Sequence, residues 1–154
     1  MPTLPSVPVA TQYPEVILPA FGAASLAASQ AQVALKVNVN DATSGSLNIT
    51  GIPAQAPGSI VGISVVLSAN KTAGSFGISP TVGGSEPASS SPLYRVPVAN
   101  AAKQAVANAD ANSPGLTFNQ GDLIGCKVTT DGSFAPTTND VLVLIHVVYN
   151  AVQP

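Results

Sequence analysis

The chain has 154 residues, and only 8% of them are charged, compared with about 25% in an ordinary soluble domain. Its formal net charge is −2 at pH 7 and its five Lys and Arg residues are scattered, so we expect no nucleic-acid partner. One Cys and one His exclude an intrachain disulfide and a paired-cysteine metal site. This composition favours a protein that binds, coats or assembles, with no cofactor, no metal and no catalytic residue.

Residues 1–32 are predicted to be a Pro- and Ala-rich extended arm. Residues 1–19 contain five of the 14 prolines, a density that prevents a helix, a central strand or a secretory signal helix. Apolar residues lie between these prolines, so we expect the arm to dock on its own domain, a neighbouring subunit or an underlying shell, in preference to a mobile tail. Residues 20–32 are Ala-rich but broken by Ser and Gly, and are predicted as loop or short strand. The predicted partner-binding residues of the arm are Leu4, Val7, Val9, Tyr13, Ile17 and Leu18.

A single domain is predicted over residues 33–154, because the apolar pattern changes to period two at residue 33. The aliphatic residues at 33, 35, 37 and 39 alternate with neutral or charged ones and are expected to share one face of a strand. Residues 47–51 continue the alternation after a turn, which predicts a hairpin.

Further strands are predicted along the rest of the chain. Two of them, 59–68 and 140–149, are nearly continuous aliphatic runs of the kind found in covered strands. The segment 83–92 has low complexity and no apolar anchor, so we predict a surface loop. Residues 99–112 have the best helical composition in the chain, although strand or loop is equally tenable there. The remaining predicted strands are 75–82, 93–98, 116–118 and 123–130.

About eight short strands between Gly, Pro and Ser turns, with no crossover helix, indicate an all-β fold, an antiparallel β-sandwich or jelly roll. No apolar run approaches the ~18 to 20 residues of a membrane span, so we expect no membrane partner. The strand 140–149 carries more apolar side chains than one sheet face can cover, and we expect a homotrimer. The predicted oligomer-interface residues are Leu142, Leu144 and His146.

His146 and Cys126 are the two residues most suited to chemistry. His146 lies inside an aliphatic run without a nearby acid or Cys, so a hydrogen-bonded strand residue is preferred to a pH switch or a metal site on a symmetry axis. Cys126 with His146 as its base would form a nucleophile pair, but no orienting acid is near in sequence, and a small buried residue is preferred. The seven acidic residues fall mostly in turns, where Asp caps nearby backbone.

Three strings of residues carry a resemblance to a known class of protein. They are Gly58-Ser-Ile-Val-Gly-Ile-Ser-Val with Ala73-Gly74, Phe118-Asn-Gln-Gly-Asp-Leu-Ile-Gly with Lys127-Val-Thr-Thr-Asp131, and Ala135-Pro-Thr-Thr-Asn-Asp-Val-Leu-Val. With these strings the chain resembles the jelly-roll modules of tailed-phage structural proteins, including capsid decoration (auxiliary or cement) proteins and trimeric heads of tumour-necrosis-factor-like shape. The resemblance implies a homotrimer on a virion surface.

The function expected on these grounds is that of a non-enzymatic viral structural protein that binds the outside of a phage capsid as an oligomer and stabilises it. Its partners would be its own copies and the major capsid protein lattice, on the capsid surface of a virion assembled in the host cytoplasm. One alternative is a receptor- or carbohydrate-binding module of a phage tail or fibre, with Tyr94 and Phe134 as loop aromatics. A second alternative is a hydrolase that uses Cys126 or a pair of acids.

Overall fold

The computed structural model describes residues 15–18, 20–37, 49–109 and 116–150. Within these ranges the chain forms twelve strands and no helix, and the strands make two antiparallel sheets. The predicted all-β antiparallel sandwich is therefore confirmed. The described residues include no helix that could cross a membrane. The strands are β1 (Glu15–Ile17), β2 (Phe21–Ala23), β3 (Val33–Ala34), β4 (Lys36–Val37), β5 (Ile52–Pro53), β6 (Gly58–Leu67), β7 (Phe76–Val82), β8 (Val96–Pro97), β9 (Gln104–Asn108), β10 (Leu116–Phe118), β11 (Leu123–Thr130) and β12 (Val141–Tyr149).

Sheet A is built around the long antiparallel pair β6 and β12. One edge of β6 pairs with β12, and its other edge pairs with β10 and then β9 along its length. The far edge of β12 pairs with β1 and β2, and β4 pairs with β2. The β6–β12 register sets Leu144 opposite Ser64 and His146 opposite Gly62, and then shifts by one residue at a bulge.

Sheet B is built around the pair β11 and β7, in register from Ile124 opposite Val82 to Thr130 opposite Phe76. The second edge of β11 is shared by β3 and β5, and β8 pairs with the far edge of β7. The two sheets therefore each place one long pair at the centre and short strands at the edges.

The core lies between the two sheets and follows from period-two burial. In β12 the residues at 141, 143, 145 and 147 are buried, while those at 142, 144, 146 and 148 are half-buried on the opposite face. Phe76 and Phe134 stack with ring centroids 5.9 Å apart at one end, and Phe118 meets Tyr149 edge to face at 5.8 Å. The largest fully buried side chains are Phe21, Leu26, Leu35, Ile60, Ile63, Leu67, Ile78, Leu93, Ile124, Ile145, Val65 and Val98.

Residues 15–18 and 20–32 belong to the sandwich, although the sequence predicted them as part of an extended arm. β1 and β2 occupy the free edge of β12, and Leu18 N–H donates to the Ile145 carbonyl at 3.0 Å. Leu18, Phe21 and Leu26 are all buried in the core. The long edge of β12 needs partners, and these two short strands provide them. The arm prediction is thereby limited to residues 1–14, which lie outside the described residues.

The alternating stretch that begins at residue 33 changes sheet at Leu35. β3 pairs with β11 in sheet B, whereas β4 pairs with β2 in sheet A. Leu35 is buried at the crossing, but Val33 is exposed, so these side chains do not share one core face as expected. Strands that switch sheets in this way form the corners of a sandwich. The fourth aliphatic residue, Val39, lies outside the described residues.

The segment with the best helical composition contains β9. Pairing with the central strand β6 directs Ala105 and Ala107 against the core and Val106 outward. Burial of alternate residues and a full ladder outweigh the helical propensity of Ala, which is a weak preference. The twelve strands exceed the predicted eight because seven of them have only two or three residues.

Candidate functional site

The two sheets differ in how their outer faces are covered. In sheet B, Ser79 and Thr81 point away from the core, yet they are only 1% and 5% exposed. The chain after β7 folds back over them: Arg95 N–H donates to Ser79 Oγ at 2.8 Å, and Lys127 Nζ donates to the Gly84 carbonyl at 2.6 Å. The chain after β7 thus covers part of the outer face of sheet B around Ser79, whereas Leu123 on the same face is 53% exposed.

The outer face of sheet A carries Gln104, Asn108 and Lys36 at its margins and has an accessible apolar centre. Its most exposed side chains are Val106 at 67%, Ile17 at 54% and Val66 at 43%. Leu142 and Leu144 lie half-buried between them, because Leu142 pairs with Val66 across the β6–β12 ladder. We define the outer face of sheet A by these five residues together with Ser64 and His146. Two of the predicted interface residues, Leu142 and Leu144, are therefore brought together with apolar neighbours from three other strands.

His146, the third predicted interface residue, lies on this same face. Its Nε2 is 3.0 Å from Ser64 Oγ, so the preferred interpretation of a hydrogen-bonded strand residue agrees with the geometry. Ile17 of β1 stands beside it on one side and Gly62 of β6 on the other. Ser64 is not among the residues predicted for the site from the sequence. Its only signal is an outward position in the alternation of β6, which acquires meaning only once the register with β12 is known.

A shallow depression of about 240 Å³ lies at one end of the outer face of sheet A. Val66 and Leu142 line it together with the start of β12. Its volume is below the ~300 Å³ at which pockets begin to enclose drug-sized ligands.

Cys126 and His146 do not form a nucleophile pair. Cys126 lies in β11 with its side chain buried in the core, and burial raises the pKa of its thiol. His146 lies in β12 and faces outward from the other sheet. The core separates the two side chains, so the alternative of a Cys126 hydrolase has no geometric support in the described residues.

Charged side chains in the described part of the chain hold turns together. Asp122 Oδ2 accepts the Asn119 N–H at 2.7 Å, and Asp140 Oδ1 accepts the Ser25 N–H at 2.9 Å. The buried Lys71 donates from Nζ to the Gly74 carbonyl at 2.5 Å and to Asn100 Oδ1. No three His, Cys, Asp or Glu side chains among the described residues are placed to hold a metal ion.

The two loop aromatics named for a carbohydrate-binding alternative are both engaged. Phe134 is buried against Phe76 in the core. Tyr94 is half-buried, and the Arg95 guanidinium lies 4.9 Å from its ring centroid. Phe134 therefore offers no face for stacking on a sugar, and Arg95 occupies one face of Tyr94.

Of the predicted arm residues, the structure describes Ile17 and Leu18. Ile17 joins the outer face of sheet A, whereas Leu18 is buried in the core of its own domain and is not accessible to a partner. This corrects the prediction for Leu18, and its reason is that β1 directs successive side chains to opposite faces. Leu4, Val7, Val9 and Tyr13 lie outside the described residues.

No protein-family model, curated protein or solved structure matches this chain.

Proposed function

We propose that this chain is a non-enzymatic structural protein that assembles as a homotrimer and binds the outside of a phage capsid, which it stabilises. The observation that carries the proposal is the uncovered apolar centre of the outer face of sheet A, formed by Val106, Ile17, Val66, Leu142 and Leu144. An apolar face of this kind on a small domain marks an interaction surface. Its location on the capsid surface of a virion is part of the same proposal.

The charge of the outer face of sheet A supports burial against protein. β6, β9 and β12 contain no Asp, Glu, Lys or Arg, and their titratable side chains are His146 and Tyr149. Lys36 of β4 lies only at the margin of this face, opposite Gly22. Taking charges out of water costs several kcal/mol per ion, and this face avoids that cost. Its apolar surface contributes about 25 cal/mol for each Å² removed from water.

The choice of a capsid lattice as partner is supported by the resemblance of the strings within residues 58–149 to phage decoration proteins. In the fold, the first string covers most of β6, the second covers β11 except Cys126, and the third covers the loop before β12 and its first three residues. Two of them therefore run along the central pair of sheet A. The trimeric state is supported by the same resemblance.

Binding to empty heads assembled from the major capsid protein of the encoding phage tests this function. The full chain is expected to sediment with the heads and to raise the temperature at which they open. Leu144→Asp is expected to lower both effects, because a carboxylate buried at the interface without a partner costs several kcal/mol.

Leu123→Asp is the matched control for this experiment. Leu123 is likewise a leucine that faces away from the core, and at 53% it is more exposed than the half-buried Leu144, but it lies in β11 of sheet B. The Leu123→Asp variant should bind heads as the wild type does. Equal binding by Leu144→Asp and wild type would show that the outer face of sheet A takes no part, and absence of wild-type binding would reject the capsid as partner.

A further inference from the structure

The residues of β9 that are hydrogen-bonded to β6 determine which backbone groups of β9 point to the free edge of the sheet. Leu67 N–H donates to the Lys103 carbonyl at 2.7 Å, and Ala109 N–H donates to the Val61 carbonyl at 2.8 Å, one step beyond each end of β9. Hydrogen-bonded pairs alternate with non-bonded pairs along an antiparallel ladder. The residues at even positions of β9 therefore direct their N–H and C=O groups away from β6.

These outward groups belong to Gln104, Val106 and Asn108, and among the described strands only β6 pairs with β9. β9 has five residues and contains neither Pro nor a charged residue. The other edge strands in the described ranges have two or three residues, and β5 and β8 contain Pro. Proteins usually protect sheet edges by shortness, charge or Pro, and an edge without protection accepts an added strand.

The N-terminal sequence contains a segment that matches this edge. Prolines stand at positions 2, 5, 8, 14 and 19, and residues 9–13 are the one run of five between them without Pro. Its sequence, Val-Ala-Thr-Gln-Tyr, places Val, Thr and Tyr on alternate positions. These three residue types favour strands, and the segment has the same length as β9.

Geometry decides whose segment can reach the edge. β1 follows this segment and lies three strands away from β9 in sheet A, so a strand added beyond β9 is four spacings, about 19 Å, from β1. The Cα atoms of Tyr13 and Glu15 can be at most about 7.6 Å apart, because two residue steps separate them. A chain therefore cannot place residues 9–13 on its own β9 edge.

We propose that residues 9–13 of one copy add as a strand to the β9 edge of a neighbouring copy. This inference rests on the proposed homotrimer and gives it a specific contact. The contact is head to tail, since the arm of one copy meets a different surface of the next, and such contacts close into a ring when the rotation permits.

Disulfide trapping between two variants tests the contact directly. Thr11→Cys places a thiol at the centre of the segment, and Val106→Cys places one at the centre of β9, so a centred register brings them together in either strand direction. The two variants are given different C-terminal tags and mixed, and they are expected to form a disulfide with each other about tenfold faster than the control mixture does. The control mixture combines Thr11→Cys with Ser90→Cys, and Ser90 is an exposed residue of the loop 83–92. Equal rates for the two mixtures would overturn the proposal.

A second pair of variants separates pairing at the edge from burial of the face. Val106→Pro removes an outward N–H and leaves the β6–β9 bonds in place, whereas Val106→Thr keeps that N–H and removes similar apolar surface. The dissociation constant of the oligomer is expected to rise roughly tenfold in Val106→Pro relative to Val106→Thr. Equal constants in an intact trimer would reject the edge contact and leave the proposed function standing, whereas a monomeric wild type would reject both.

Discussion

Asp131 shows how single polar residues stabilise the loops of this sandwich. Its Oδ2 accepts the Ser75 N–H at 2.9 Å, and its Oδ1 accepts the Ser133 N–H at 3.0 Å. The bond from Ser75 is the largest cause that holds the pKa of this carboxyl below its usual range, and the nearby Lys71 adds to the effect. The residue thus joins the turn after β11 to the start of β7, as expected for Asp in turns.

The lowered pKa of Asp131 predicts an acid-sensitive contribution to stability. The folded pKa lies below the unfolded one, so the contribution is present above the unfolded pKa and is lost as pH falls through the folded value. Asp131→Asn should therefore have a lower melting temperature than the wild type at neutral pH, and the difference between the two melting temperatures should decrease below about pH 4. Melting temperatures of both proteins across this range check it, and a gap that persists unchanged in acid would contradict it.

Cys126 gives a second prediction at this scale. Burial in the core of sheet B raises the pKa of its thiol and keeps reagents away from it. A thiol-specific reagent at neutral pH should label the folded chain roughly a hundredfold more slowly than the chain unfolded in guanidinium. Rapid labelling of the folded protein would show that Cys126 is accessible and would reopen a chemical role for it.

At the scale of elements, the two central pairs were predictable from sequence and the edges were not. The predicted strands 59–68, 75–82, 123–130 and 140–149 match β6, β7, β11 and β12 to within one residue at each end. Long aliphatic runs bounded by Gly and Asp turns carry that information locally. β1 and β2 have three residues each, which is too short for a period to show, and their existence depends on the free edge of β12.

For the candidate site, the residues of β12 were predictable from the sequence, whereas their neighbours on other strands were not. Leu142, Leu144 and His146 share one face because β12 is strictly alternating, and the sequence shows this directly. Val66, Val106 and Ile17 join them through strand pairings that only the tertiary structure establishes. The change of sheet at Leu35 was missed for the same reason, since period two continues through it.

The alternation of β12 predicts that truncation of two neighbouring residues lowers the free energy of unfolding by very different amounts. Ile145 is fully buried, so Ile145→Ala should lower the free energy of unfolding by about 2 to 5 kcal/mol. Leu144 is half-buried on the outer face of sheet A, and Leu144→Ala should cost the isolated fold about 1 kcal/mol or less. Denaturant unfolding at low protein concentration measures both, and a larger cost for Leu144→Ala would contradict this assignment of the faces.

At the scale of the whole molecule, residues from the first part of the chain complete the sandwich that later residues build. β1 closes one part of the β12 edge, and Leu18 then enters the core. The fold thus depends on residues 15–18, whereas residues 9–13 are proposed to pair with a neighbouring copy. The two roles predict different results for two truncations.

Deletion of residues 2–14 should leave the melting temperature nearly unchanged at a concentration at which the full chain and the truncation are both monomeric, because β1 and Leu18 remain. Deletion of residues 2–18 should lower it clearly, since the loss of buried Leu18 alone removes about 1.5 to 3 kcal/mol of burial energy. Thermal unfolding followed by circular dichroism compares them. Equal melting temperatures for the two truncations would show that β1 contributes nothing to the fold.

The central proposal is that copies of this chain assemble into a homotrimer. Sedimentation velocity of the full chain, diluted through the micromolar range, tests it most directly because the mass in solution depends on no assumption about the capsid. The account predicts a species with three times the mass of the chain, which dissociates only on dilution. A single monomeric species throughout that range would contradict it.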